Sequence, residues 1–420
     1  MSRASATAKL FYEVYRVKPD TISSAPARLD FLNTHQDYKG LPVVSVGVDL
    51  RTYIAFSKRD NSNALVVSYN LLKEGVDYRD EFDTIDPVLR EGKWFGNYLR
   101  AGVVALKDYG YHIGGFQALI DSDVPVAAGM ASSAALLVSF IHGLSTLFNL
   151  GLGTKDVAEI AYHAEHDVMG IPCGRLDQYG SAYGGILEIN TRPPYNVEQL
   201  PSINGVFIVI DSCIRHSTAD IHPRRQEEID RGLQALLELD LPSSLRDKLG
   251  KHYWEPKWDQ ISEEELRPYL GSIPEVSRKR ILFTLRMNES TKVALKAIRG
   301  QKVSVEELYK ALKGVDPRNI ADAVRDHDVL GIVGLVMNYQ HMLLRDYYDV
   351  SLPVLDNIAS ILIDHGCLGA KLSGAGLGGS VICLTRKDVD TKKILEAGLD
   401  AGGCRGWIVN IDRGVKTEYL

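Results

Sequence analysis

The stretch "AALLVSFIHGLSTLF", Ala134 to Phe148, is the longest apolar run in the chain and narrows the fold more than any other segment. Interrupted by Ser, His and Gly, it is too short to span a bilayer, and it reads as a long helix entered through the small residues "ASS". Strand-like runs precede it, "LPVVSVGVDLRTYIAFSKR" from Leu41 and "ALVVSYNLL" from Ala64, both rich in β-branched and aromatic residues. After it, "TKDVAEIAYHAEHDVMG" places Val157, Ile160, Ala161, Ala164 and Val168 at helical spacing, with Thr154 as the expected N-cap. "GGILEI" and "GVFIVIDSC" return to strand character, a mostly helical stretch runs from about Pro223 to His365, and strands recur at "AKLSG" and "SVICLT". The chain is therefore mixed α and β, without repeats.

At 420 residues it suits about two domains, and 45% hydrophobic against 24% charged residues is enough for a full core. The prolines and turn formers of "RPPYNVEQLPSING" place the boundary near residue 200, giving domains 1–200 and 201–420. Forty-eight basic residues scattered among 54 acidic ones, for a net charge of −6, supply no stripe for nucleic acid. The first twenty residues lack a continuous apolar segment, so no signal peptide is read. Five cysteines without CxxC spacing fit free thiols in a reducing cytosol better than a disulfide frame or a zinc site.

Four segments concentrate chemistry. "PVAAGMASSAAL", from Pro125, is a small-residue loop running into a helix, where backbone N–H groups and the helix N-terminus can receive an anion; tight helix packing explains it equally well. No Gly-Lys-Ser/Thr follows, so it is not a Walker loop. "KLSGAGLGGSVICL", from Lys371, carries more glycines than a hairpin needs, as close approach to a ligand would require. In "AEHDVMGIPCGRLDQYGSAYGG", Glu165 flanks the apolar face of its helix, where it needs a cation or a salt bridge. Asp177 follows a rigid Gly-Ile-Pro-Cys-Gly turn, positioned either to address a substrate or to cap a helix. Finally, "RLDFLNTHQDYKG", from Arg28, offers donors and acceptors at fixed depth, as reading sugar hydroxyls requires.

In this order the segments resemble the GHMP kinases, and within them the galactokinases. The three family motifs stand as "APARLDFLNTHQDY", "PVAAGMASSAA" and "KLSGAGLGGS", with galactokinase-type blocks between them: "NYLRAGV", "AEHDVMGIPCGRLDQ", "RHSTADIHPRR" and "MNYQHMLLRDYYDVSLPVLD". The resemblance runs from about residue 24 to the carboxyl end. It implies an α+β, two-domain GHMP kinase fold with the active site in the cleft between the domains. It further implies ATP and Mg²⁺ as cofactors and a small-molecule sugar as partner, phosphorylated at C1. A cytoplasmic protein is expected, and the sequence leaves open whether it is a monomer or a homodimer.

By the same resemblance Asp177 is the catalytic base and Arg28 the charge stabiliser. Thr34, His35, Asp37, Gly174, Arg175 and His222 line the substrate. Pro125, Ala127, Gly129, Met130, Ala131, Ser132, Ser133, Ala134, Gly376 and Gly378 bind ATP, and Ser133 and Glu165 hold the metal. The chain departs from the family where Thr34 replaces a glutamate that binds the sugar's C6 hydroxyl. "ADIHPRR" replaces a tyrosine-containing segment, leaving Ile221 or His222 near the tyrosine's place. Arg175 replaces an apolar residue, and Ala127 and Ala131 replace a glycine and a serine. Galactose, galacturonate, N-acetylgalactosamine and L-arabinose are the sugars considered. Arg175 favours galacturonate if it faces the pocket, and not if it pairs with a neighbouring acid. A non-catalytic ATP- and sugar-binding regulator and a kinase for a non-sugar alcohol are the other classes.

Overall fold

The structure, a computed structural model, describes residues 2–215, 218–325 and 328–419, with the backbone alone for 218–221. The chain divides into two compact units: Met1–Leu29, Val46–Gly185 and Ile411–Leu420 form the first, and Asp30–Ser45 with Ile186–Asn410 the second. The units are discontinuous in sequence and differ from a division at residue 200. The segments 30–45 and 186–200 fold with the second unit, and the last ten residues with the first.

The first unit is built on a sheet containing β1 (Thr21–Leu32), β2 (Val43–Lys58), β3 (Asn63–Ser68), β4 (Arg79–Asp83) and β5 (Phe116–Ser122), of which the ends of β1 and β2 belong to the second unit. β2 runs antiparallel to β5, with Ile54 opposite Ile120, and β3 runs parallel to β5. The helix Ser132–Phe148 is where the apolar run places it, and Phe140 packs its ring 6.0 Å from Phe56 and 5.7 Å from Phe116. Gly143 sits inside this helix because a Cβ there would lie 2.2 Å from the Phe56 ring. Two local expectations change. "SYNLL" is helical rather than extended, since the Ser68 hydroxyl caps a short helix at Tyr69–Glu74 by accepting from Leu71 N–H. Thr154 is the first residue of its helix, not the cap: Gly153 is the N-cap, its N–H bonded to the Asp156 carboxylate at 2.9 Å.

In the second unit β6 (Ile186–Ile189) pairs antiparallel with β7 (Val197–Leu200). A four-stranded antiparallel sheet follows the order β11-β8-β10-β9, from β8 (Gly205–Asp211), β9 (Gly369–Ser373), β10 (Ser380–Arg386) and β11 (Arg405–Val409). Between β8 and β9 the chain is largely helical, as expected. Ile229, Leu233 and Leu236 of the helix Thr218–Leu237 share a core with Ile281 and Leu285 of the helix Glu275–Ile298.

The cysteine expectation is overturned in this unit, where Cys213 is bonded to Cys404 and Cys367 to Cys383, leaving Cys173 as the free thiol. Sheet register does this. Arg405 is paired with Asp211, which brings the start of β11 beside the end of β8 and sets the Cα atoms of Cys213 and Cys404 6.0 Å apart. No CxxC spacing can announce partners that are 191 residues apart. Among the described residues, no helix is long and apolar enough to cross a membrane.

Candidate active site

Arg28 lies in β1, 6% exposed, and Asp177 is the second residue of the helix Leu176–Tyr183. Arg28 donates from Nε and Nη2 to one oxygen of Asp177, Oδ1, at 2.9 and 2.7 Å. Its Nη1 donates to the Gly129 carbonyl at 2.7 Å, and its backbone N–H to the Met130 carbonyl at 3.3 Å. One guanidinium therefore fixes both the acid and the backbone of the small-residue loop. The Asp177 side chain remains 29% exposed, and its second oxygen accepts no bond among the described residues. Asp177 caps nothing: its helix has no side-chain cap bond. A carboxylate anchored through one oxygen and open at the other has the form of a positioned proton acceptor.

The loop residues Pro125, Ala127, Gly129, Met130, Ala131, Ser132, Ser133 and Ala134 belong to this unit. Ala127, Gly129 and Ala131 all have positive φ, at 58°, 72° and 54°. That conformation is disfavoured for alanine, and it bends the chain tightly into the start of the Ser132–Phe148 helix, whose first N–H groups are left for an anion.

Glu165 is buried, and the reason departs from a regular helix. After His163 the helix widens into a π-turn, Ala164–Val168, which offsets the apolar face; Glu165 becomes buried while Val168, expected on that face, is only half-buried. Glu165 accepts from Gln178 Nε2 at 2.7 Å and from the Ser133 hydroxyl, and it forms no ion pair among the described residues. Burial raises its pKa, and Asp177 nearby adds to the rise, while the bonds from Ser133 and Gln178 oppose it. The Oε1 of Gln178 is buried with no partner. A carboxylate, a hydroxyl and an unpartnered amide oxygen are the hard oxygen donors that suit Mg²⁺, which keeps several of its waters. Gln178 was not a sequence candidate; its place directly after Asp177, on the buried side of a helix, was the available signal.

Gly174 is exposed at the turn before this helix. Arg175 is paired with a neighbouring acid: its Nε lies 3.0 Å from Glu159, its guanidinium sits 4.0 Å over the Tyr162 ring, and Glu159 also takes the Tyr179 hydroxyl. Burial pushes the neighbouring Cys173 thiol up to about 12, which leaves it a poor nucleophile.

The remaining candidates lie in the second unit. His35, buried and with φ of 65°, bonds through Nε2 to the Ala375 carbonyl at 3.1 Å; a carbonyl only accepts, so that nitrogen carries the proton. Burial first, then the nearby His222 and Lys39, hold its pKa well below the usual range, and the ring is neutral. His222 is half-buried, its ring 5.3 Å from those of His35 and Tyr38, and its Nε2 has no partner. The Ile221 side chain lies outside the described residues. Asp37, half-buried, opens a 3₁₀ turn over Asp37–Lys39. Thr34 does not present a free hydroxyl: it donates to Asp30 Oδ1 at 3.0 Å, accepts from Lys371 Nζ at 2.9 Å, and is 2% exposed. Gly376 and Gly378 have φ of 91° and 143°, and a Cβ would come within 2.3 Å of the Val350 carbonyl and 2.4 Å of the Ile214 carbonyl, so neither admits a side chain.

Residues 97–185 match the GHMP kinases N terminal domain, 320–402 the GHMP kinases C terminal domain, and 9–58 the galactokinase galactose-binding signature. The chain thus carries both the N-terminal and the C-terminal domain of the GHMP kinases. Within the GHMP kinases the likeness is to galactokinases. The galactokinase of Roseiflexus sp. is 29% identical over 389 residues, covering 91% of this chain and 88% of that protein, and the Pyrococcus furiosus galactokinase is 26% identical over 87% and 88%. In fold, the chain is similar to Lactococcus lactis galactokinase, with a TM-score of 0.78 at 23% identity over 99% of this chain and all of that one. It is also similar to Methanococcus jannaschii mevalonate kinase, at 0.62 and 18% over 93% and 98%.

Proposed function

We propose that this chain is an ATP-dependent sugar kinase that transfers the γ-phosphoryl group to the C1 hydroxyl of galactose or a galactose-related sugar. The observation that carries this reading is Asp177, held through Oδ1 by Arg28 and open at its other oxygen. Asp177 takes the proton of the acceptor hydroxyl as that oxygen attacks the γ-phosphorus and the bond from phosphorus to the β–γ bridging oxygen breaks, with ADP leaving. Arg28, between Asp177 and the Gly129 carbonyl, orients the base and lends positive charge to the phosphoryl oxygens. The open N–H groups at the start of the Ser132–Phe148 helix support the phosphates. Glu165 and Ser133 are the residues that would hold Mg²⁺, which supplies charge neutralisation on the β- and γ-phosphates when bound.

Galactose leads among the sugars because the curated relatives are galactokinases, the Lactococcus lactis structure is a complex with galactose, and the galactose-binding signature covers His35 and Asp37. Galacturonate loses its motivation, since Arg175 is neutralised by Glu159. ADP release measured with galactose, N-acetylgalactosamine, galacturonate and L-arabinose tests the reading, with the highest kcat/KM expected for galactose. ATP binding without ADP release from any sugar points instead to a non-catalytic regulator, and release with a mevalonate-type alcohol alone to the non-sugar class.

A further inference from the structure

Lys371 is fully buried in β9, a strand whose neighbours Ala370 and Leu372 are core residues. An ammonium in such a place is costly unless hydrogen-bonded, so its partners show what it is for. Nζ donates to the backbone carbonyl of Asp30 at 3.1 Å and to Thr34 Oγ1 at 2.9 Å. The Thr34 hydroxyl passes its own proton to Asp30 Oδ1 at 3.0 Å, so it relays Lys371 to the Asp30 side chain. Ser373, two residues along and therefore on the same face of β9, also points its hydroxyl at the Asp30 carbonyl, at 3.5 Å. At the glycine-rich turn after β9, the Ala375 carbonyl takes the proton of His35 Nε2. The segment from Asp30 to Lys39 is thus fastened along one face of β9 and onto the turn that follows it, by four hydrogen bonds of which Lys371 makes two.

We propose that Lys371 is a positioning residue for the sugar acceptor: it sets the depth of the Asp30–Lys39 segment, and through it the place of His35 and Asp37, while Thr34 serves Lys371 and does not read the substrate. The inference rests on the sugar-kinase reading for its substrate, but the fastening exists without one. Thr34 is shaped by its neighbour. A threonine hydroxyl both accepts from an ammonium and donates to a carboxylate, and no apolar residue of that size does either. A substrate hydroxyl reaching this point would have to break a buried network to be read.

Two measurements test this on the full chain, with Lys371→Met, Lys371→Arg and the near-isosteric Thr34→Val. Backbone hydrogen exchange of the 30–40 segment, without any substrate, is expected to quicken about tenfold in Lys371→Met while the helix Ser132–Phe148 is unaltered, with Lys371→Arg close to wild type. Steady-state kinetics with galactose and ATP are expected to show the galactose KM raised about tenfold in Lys371→Met, with ATP affinity within about twofold of wild type and recovery in Lys371→Arg. Thr34→Val is expected to move both readouts the same way by a smaller factor, and it carries the test alone if Lys371→Met does not fold. Unchanged exchange overturns the proposal, as does faster exchange with an unchanged galactose KM. If the wild type phosphorylates no sugar, the kinase reading fails on its own, and the exchange result still decides whether Lys371 holds the segment.

Discussion

A single guanidinium does two jobs in the first unit. Arg28 anchors the Asp177 carboxylate, braces the Gly129 carbonyl, and is itself almost fully buried, so its orientation is not left to solvent. Asp177→Asn keeps the shape and removes the proposed proton acceptor; turnover is expected to fall by about 10²–10⁴-fold with ATP affinity retained, measured as single-turnover rates beside nucleotide titration. Glu165 makes a pH-dependent prediction. Burial raises its folded pKa above the ordinary 4.5, so the fold favours the protonated form. Relative to a neutral side chain, Glu165 is therefore harmless below pH 4.5 and becomes a cost as pH rises through its folded pKa. Without divalent cation, Glu165→Gln is expected to melt higher than wild type at pH 7 and at the same temperature at pH 4. Added Mg²⁺ is expected to raise the melting temperature of the wild type and not of the variant. A variant that melts lower than wild type at pH 7 would instead assign Glu165 a structural role.

At the scale of elements, the loop before the Ser132–Phe148 helix shows how backbone conformation and side chain can disagree at a site. Ala127 and Ala131 hold left-handed φ without being glycines, and Ala131 is the residue from which the helix starts. An L-residue there costs about 1–2 kcal/mol over glycine, so Ala131→Gly is expected to stabilise the protein by about 1 kcal/mol in urea titration, less the entropy that glycine adds to the unfolded chain. No gain would mean that the Ala131 methyl packs productively. The π-turn at Ala164–Val168 belongs to the same class: one extra residue in a helical turn exchanges Val168 for Glu165 on the inner side. Periodicity in the sequence placed Val168 inward because it assumed 3.6 residues per turn throughout.

For the whole molecule, the connection that sequence order conceals is the return of the carboxyl-terminal segment to the first unit. β12 (Lys416–Thr417) pairs with β1, Ser24 opposite Lys416, and the buried Arg51 donates to Asp412, to the carbonyls of Arg413 and Gly414, and to Ser24. Arg51→Met removes these bonds, leaving three carbonyls, the Ser24 hydroxyl and a carboxylate without this donor. A loss of about 3–5 kcal/mol is expected by urea unfolding, against no resolvable change for an exposed arginine such as Arg318→Met. Equal effects of the two would show that the terminal segment is not tied through Arg51. What the sequence by itself determined was local or ordered: the long apolar helix and the alternating strands, because spacing along a chain fixes faces and turns, and the order of motifs on which the likeness to the GHMP kinases rests. What only the tertiary structure decided was every partner distant in sequence. Glu159 took Arg175, Lys371 took Thr34, strand register joined Cys213 to Cys404, and a two-residue strand near one end joined a sheet begun at the other. Such pairings are set by how packed elements meet, and a side chain near a motif in sequence is not for that reason turned towards its substrate.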